Sequence, residues 1–399
     1  MDTARLISDR ARAVDASGIR RIFDLGARLK DPINLSIGQP DFPVPEPIKR
    51  AAIRAIETDQ NGYTPTQGVP VLQGQINDWL ATDLGWDARP AGSAEPGQPS
   101  TLVTTGTSGA LSLAFAALLN PGDEAIIPDP YFVAYPHLCT LAGAKAVLCD
   151  TGEDLRLTAE RVEPLITERT KLVLLNSPSN PCGVVSTPEE CRDLLELCRS
   201  RGVLLISDEI YDEFTYPEFA TDRAVGDPSL ARCPSPARLP GAHEDVLLIR
   251  GFGKTYACTG WRLGYAAGPR DLIAEMAKIQ QYTFVCAPSA FQHGVSACFD
   301  VDMGDLVREY QRRRDLVVER LSPLTDVPTP GGAFYAFPRV PERLGMSDTQ
   351  FVERCVERNV LVIPGSVFST RADRFRLSYA TRMDQLERGL DVICELLGA

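Results

Sequence analysis

At 399 residues the chain is too long for one compact core and fits two domains, while its 44% hydrophobic and 24% charged residues are ordinary globular values. A net charge of -12 argues against nucleic acid as a partner, because phosphate contacts need clustered Lys and Arg. The eleven cysteines are scattered with no C-x-x-C pair and the three histidines lack ligand spacing, so neither a disulfide framework nor a metal site is indicated.

The first ten residues lack the apolar run of a signal peptide, and no segment approaches the roughly 18 apolar residues that span a bilayer, so the expected location is the cytoplasm, with no membrane partner. Apolar runs at 101–105, 124–128, 145–148, 171–175, 203–207, 246–250 and 263–267 read as strands. Helical patterns at 108–119, 131–142 and 187–201 lie between them, the alternation that builds a mostly parallel seven-stranded sheet flanked by helices. The charged stretch 302–321 has apolar positions at helical spacing and reads as a long helix leading out of the sheet. Beyond it, 332–337, 360–363 and 375–379 read as strands of a smaller α+β unit. The fold class is therefore α/β, with a large domain at 46–300 and a small one formed by 301–399 and an N-terminal arm, 1–45. Two Pro- and Gly-rich segments, 88–98 and 217–245, read as surface loops.

Chemistry in an open α/β sheet gathers beyond the carboxyl ends of its strands. After 101–105 comes Gly106-Thr107-Ser108-Gly109, which opens a helix whose free N–H groups and hydroxyls can cradle a phosphate, although a plain N-cap would use the same residues. After 171–175 comes a turn-rich loop presenting Asn180, a residue that also serves turns for purely structural reasons. After 203–207 comes Asp208, an acid at the end of a buried strand that needs a cation or several hydrogen bonds. After 246–250 come Lys254 and Arg262. Lys254 alone among the six lysines is framed by glycine, aromatic and apolar neighbours, where a partly dry amine becomes nucleophilic. An aldehyde cofactor with a phosphate and a protonated ring nitrogen would demand these four ends together, and pyridoxal phosphate is such a cofactor.

In order and spacing the chain resembles the class I and II aminotransferases, the aspartate aminotransferase-like group of fold type I pyridoxal phosphate enzymes. The resemblance runs from Gly38-Gln39-Pro40-Asp41-Phe42 and Tyr63-Thr64-Pro65 through Asn176 to Gly183 and Ser207-Asp208-Glu209-Ile210-Tyr211. It continues through Lys254-Thr255-Tyr256, Thr259-Gly260-Trp261-Arg262, Gly331-Gly332-Ala333-Phe334-Tyr335, Pro364-Gly365-Ser366 and Arg376-Leu377-Ser378-Tyr379. It implies that Lys254 is the Schiff-base lysine, Asp208 the partner of the pyridinium nitrogen, and Tyr211 and Asn180 the ligands of the phenolic oxygen. Arg262 with Gly106, Thr107 and Ser108 would hold the phosphate, and Tyr131 would stack on the ring and line the substrate site. Tyr63 would reach the phosphate of a neighbouring subunit, which implies a homodimer with shared sites. Arg376 would grip the substrate carboxylate with its two-pronged guanidinium, and Gly38 would line the pocket.

The resemblance implies transfer of an amino group from an L-amino acid to a 2-oxo acid, expected to be 2-oxoglutarate, in a ping-pong cycle. The alternative is elimination on the same platform, as in a carbon-sulfur lyase or a cyclopropane-carboxylate synthase. Two departures stand out. Gly251 occupies the position of a serine that often adds a phosphate ligand. Ser108 replaces a lysine that one aspartate-handling subgroup uses for the second carboxylate, which weakens the case for aspartate as donor. Arg20 and Arg21 could meet acidic substrates or simply face solvent.

Overall fold

The structure, a computed structural model, describes the chain apart from residues 2, 16–17, 20–25, 27–28, 221, 224–230 and 399; Arg20 and Arg21 lie outside the described residues. Its largest sheet comprises β1 (Arg89–Pro90), β2 (Ser100–Thr105), β3 (Glu124–Asp129), β4 (Lys145–Asp150), β5 (Thr170–Asn176), β6 (Leu204–Asp208), β7 (Val246–Gly251) and β8 (Leu263–Gly268). The spatial order is β1-β2-β8-β7-β6-β5-β3-β4. All neighbouring pairs are parallel except those of β8, which runs against both β7 and β2. The seven expected strands are present, and the eighth is the two-residue β1, a short edge inside the segment read as a loop.

The strands are apolar on both faces because both are covered. Leu172, Leu174 and Ile206 belong to one buried cluster, and Val173, Leu175 and Leu205 to another, in strict alternation. Full burial of each such side chain stabilises the fold by about 1.5–3 kcal/mol. The helix Gly106–Leu118 begins directly at the end of β2 and is almost wholly apolar, as a helix pressed on a sheet must be. Pro188–Arg201 starts with a capping box between Thr187 and Glu190 and ends at Gly202 in the left-handed region. Among the described residues, no helix is long and apolar enough to cross a membrane.

A third apolar cluster runs through the C-terminal part of the chain. Here Phe375–Ser378 is the central strand of an antiparallel three-stranded sheet, between Tyr335–Ala336 and Ile363–Pro364. Ile33–Asn34 pairs in parallel with Val360–Leu361, which ties the N-terminal segment to this cluster. Gly304–Leu321 is the expected long helix, and it buries Tyr310, Val317 and Leu321 in the same core.

The segment 217–245 is not a simple surface loop. Cys233, Ser235, Ala237 and Ala242 are buried, the Ser235 hydroxyl donates to Glu209 at 2.6 Å, and the Trp86 indole donates to the Ala237 carbonyl at 3.1 Å. Its Pro-, Ala- and Arg-rich composition reads as solvated, yet the small residues pack inward while Arg238 reaches Asp83 at 2.8 Å.

Candidate active site

Because β2, β3, β5, β6 and β7 are parallel, their carboxyl ends share one edge of the sheet. β8 starts at that edge: Leu263 pairs with Thr105 and Gly264 with Gly251. Arg262, which precedes β8, therefore stands beside residues that follow the other strands. There, Gly106, Thr107, Ser108, Asn180, Asp208, Tyr211, Lys254 and Arg262 line one cavity of about 250 Å3.

The wall at the helix end is shaped for an anion. Thr105 provides no side-chain cap for Gly106–Leu118, so the first-turn N–H groups keep their positive end toward the cavity. Gly106 is left-handed at φ 67, and a Cβ there would lie 2.7 Å from the Arg262 guanidinium. Only glycine lets that cation settle against the helix start. Gly251 meets a similar constraint, since an added Cβ would lie 3.0 Å from both Ile210 Cδ1 and Thr107 Cγ2. A serine at this position would need the Ile210 and Thr107 side chains to give by a few tenths of an ångström.

Consecutive acids at the end of β6 separate by face. Glu209 turns away to Arg250 at 2.8 Å, and Arg250 also holds Asp83 and Asp212. Asp208 is 3% exposed and has no cation at ion-pair distance among the described residues. It accepts from the Tyr135 hydroxyl at 2.8 Å and from the Ile210 N–H at 3.3 Å. Burial nevertheless outweighs both bonds and pushes its carboxyl up to about 6. Asn176, at the end of β5, donates to the Asp208 carbonyl at 3.0 Å and accepts from the Asn180 N–H at 2.8 Å, fixing the two strand ends together.

Burial also pushes the Lys254 amine down to about 8, helped by the positive charges of Arg376 and Arg262. The amine donates to the Gly38 carbonyl and lies 5.7 Å from the centre of the Tyr211 ring. Arg376 is 1% exposed and stacks between Tyr335 and Phe368, 4.6 Å from each ring centre. It donates to Asn180 at 2.9 Å and to the Ser36 carbonyl at 2.8 Å. The other buried arginines, Arg250, Arg313, Arg314 and Arg374, each have a carboxylate partner, whereas Arg376 has none among the described residues.

Of the expected residues, Tyr131, Gly38, Arg376 and Tyr63 do not line this cavity; Gly38 and Arg376 touch its lining residues Lys254 and Asn180 from behind, and Tyr63 is expected only at a neighbouring subunit's site. Tyr131 does not line the cavity; its N–H donates to the Phe368 carbonyl at 2.7 Å, and Phe132, one residue on, stands in the wall instead. The expected helix at 131–142 begins only at Ala134, so the turn after β3 sets which aromatic points inward. Tyr63 is 90% exposed and is no part of this chain's cavity. Tyr135 and Phe132 escaped the sequence reading, although Asp208 was expected to need a cation or several hydrogen bonds, one of which Tyr135 supplies.

The family model described as "Aminotransferase class I and II" matches residues 30–393. The chain belongs to the class I and II aminotransferases. It is 38% identical over 392 residues to the putative aminotransferase YugH of Bacillus subtilis, covering 96% of each protein. It is 36% identical over 407 residues to a probable aspartate aminotransferase of Methanocaldococcus jannaschii, covering 98% of this chain and all of that one. The structure of aspartate aminotransferase from Thermus thermophilus with maleate superposes with a TM-score of 0.86 at 31% identity, covering 98% of this chain and 99% of that one. As an aminotransferase of this family the chain is an amino-group transferase dependent on pyridoxal phosphate, acting on amino acids and oxo acids. Its aminotransferase relatives favour transfer over elimination. The cavity fits that cofactor on independent grounds: an uncapped helix start with an arginine for a phosphate, and a buried carboxylate short of one cation for a protonated ring nitrogen.

Proposed function

We propose that this aminotransferase takes the amino group of an L-amino acid, with aspartate the first donor to test, and passes it to 2-oxoglutarate in a ping-pong cycle on pyridoxal phosphate that Lys254 holds. The observation that carries the reading is the pair of buried, unpaired charges. Among the described residues, Asp208 lacks a cation and Arg376 lacks an anion. A ring nitrogen and a substrate carboxylate would complete them, and both charges act on the Lys254 amine, Arg376 lowering it and Asp208 raising it.

Pyridoxal phosphate, when bound, supplies an aldehyde that reacts with amines and a ring that withdraws electrons. Arg262, with Gly106, Thr107 and Ser108, holds its phosphate, and Asp208, fixed by Tyr135, keeps the ring nitrogen charged. Tyr211 and Asn180 would hold the phenolic oxygen, and Phe132, which lines the cavity where Tyr131 does not, would cover the ring. Arg376 binds the substrate carboxylate with two parallel donors, beside the Gly38 backbone. The Lys254 Nζ, its amine lowered to about 8, would take the proton from the substrate α-carbon and deliver it to the cofactor's aldehyde carbon.

In this reading residues 46–300 form a large domain, and 1–45 with 301–399 a small one that carries Arg376 and closes on substrate, excluding water. Exposed Tyr63 serves the site of a second copy in a homodimer, and the enzyme works in the cytoplasm. Aspartate is carried by the names of relatives, against the absence of a lysine at Ser108. Lys254→Ala is the test: turnover and the visible absorbance of bound cofactor should both vanish, and retained activity overturns the proposal. A panel of amino donors, scored by conversion of the bound cofactor to its amine form, then ranks substrates.

A further inference from the structure

Tyr335 stands one layer behind the cavity. It is fully buried, it does not line the 250 Å3 space, and its hydroxyl lies 2.9 Å from that of Tyr211. The two rings meet edge to face with centres 5.8 Å apart. The Arg376 guanidinium lies over the Tyr335 ring, and a Cβ on Gly38 would come within 2.6 Å of the Tyr335 hydroxyl oxygen. The Gly38 backbone, the arginine and the tyrosine pair therefore hold this hydroxyl in one place.

We infer that Tyr335 is a positioning residue that acts through Tyr211, donating its hydroxyl proton to Tyr211 so that Tyr211 can donate its own to the phenolic oxygen of the cofactor. The inference rests on the reading of Tyr211 given above. A phenol carries one proton and can give it to only one acceptor. If Tyr211 gives its proton toward the cavity, the 2.9 Å contact survives only with Tyr335 as donor. A donor chain of this kind strengthens each successive bond. The Arg376 cation lowers both phenols against the effect of burial and so favours neither as donor; the direction of the bond is set by the acceptor that Tyr211 meets in the cavity. The charged groups facing the pair are Arg376 from the three-stranded sheet, Lys254 from the loop after β7, and Asp208 from the end of β6.

The test is a spectrophotometric pH titration of the cofactor-loaded enzyme and of Tyr335→Phe, Tyr211→Phe and the double variant. A donor to the phenolic oxygen favours its ionised form, so weakening that donor raises the midpoint. Tyr335→Phe should raise it by on the order of half a pH unit, and Tyr211→Phe by more. The double variant should match Tyr211→Phe alone. An unchanged midpoint in Tyr335→Phe beside a shifted Tyr211→Phe overturns this inference alone, as does an additive double variant. Unchanged midpoints in both single variants overturn the placing of Tyr211 as well.

Discussion

Asp208, in the cavity wall, and Arg376, one contact behind that wall through Asn180, are buried charges of opposite sign carried on different sheets, and neither has an ion-pair partner among the described residues. Isolated buried charges cost several kcal/mol, so a fold that keeps two of them keeps them for ligands.

Asp208→Asn separates the stability of the empty protein from its activity. The folded carboxyl titrates near 6, above its ordinary value near 3.9. Its favourable contribution is thus present at low pH and lost as pH rises through 6, leaving at pH 7.5 a cost on the order of 2 kcal/mol. Asparagine removes that cost and still accepts from Tyr135. Urea melts of cofactor-free protein should show the variant more stable than wild type at pH 7.5, with the gain shrinking toward pH 4. Turnover should fall by at least roughly 10²-fold. A variant destabilised at pH 7.5 contradicts this account.

Arg376→Lys keeps the charge and loses the fork. Michaelis constants for both amino and oxo acids should rise tenfold or more, and for Arg376→Ala roughly 10²- to 10³-fold, with the visible absorbance of bound cofactor retained. Unaltered Michaelis constants would remove Arg376 from substrate binding.

The aromatic next to the ring is open to direct comparison. Phe132→Ala should weaken cofactor affinity about tenfold, through lost stacking and burial. Tyr131→Ala should change it far less, and fluorescence titration of the cofactor-free protein reads both. The reverse ranking restores Tyr131.

Only the neutral amine of Lys254 attacks an aldehyde, so the rate of cofactor capture should rise with pH around a midpoint near 8 rather than near 10.4. Arg376→Met removes one of the cations that depress the amine and should move that midpoint upward. Stopped-flow capture rates between pH 6 and 10 decide it.

Strand ends were legible in the sequence because burial on both faces makes each strand a continuous apolar run, and the same continuity put Asp208, Asn180 and Lys254 just past those runs. The two-residue edge β1 was not, since a Pro inside a Gly-rich stretch carries no strand signal. Phe132 and Tyr131 are adjacent aromatics after one strand, and nothing in their types says which faces inward; the turn geometry before Ala134 decides. Glu209 and Asp208 posed the same ambiguity, and it was resolved by Arg250, a partner supplied from another strand. The buried half of 217–245 was hidden because its small residues look alike whether packed or solvated.

The reversed direction of β8 has one more effect. The chain leaves the sheet at Gly251 and re-enters at Leu263 on the same edge, with those ends held in the ladder. Lys254 and Arg262 are thus carried on a single closed excursion, which works as a ruler between the reactive amine and the anion seat. Its length is therefore itself a functional quantity, since each group is measured from its own anchored end, Lys254 from Gly251 and Arg262 from Leu263.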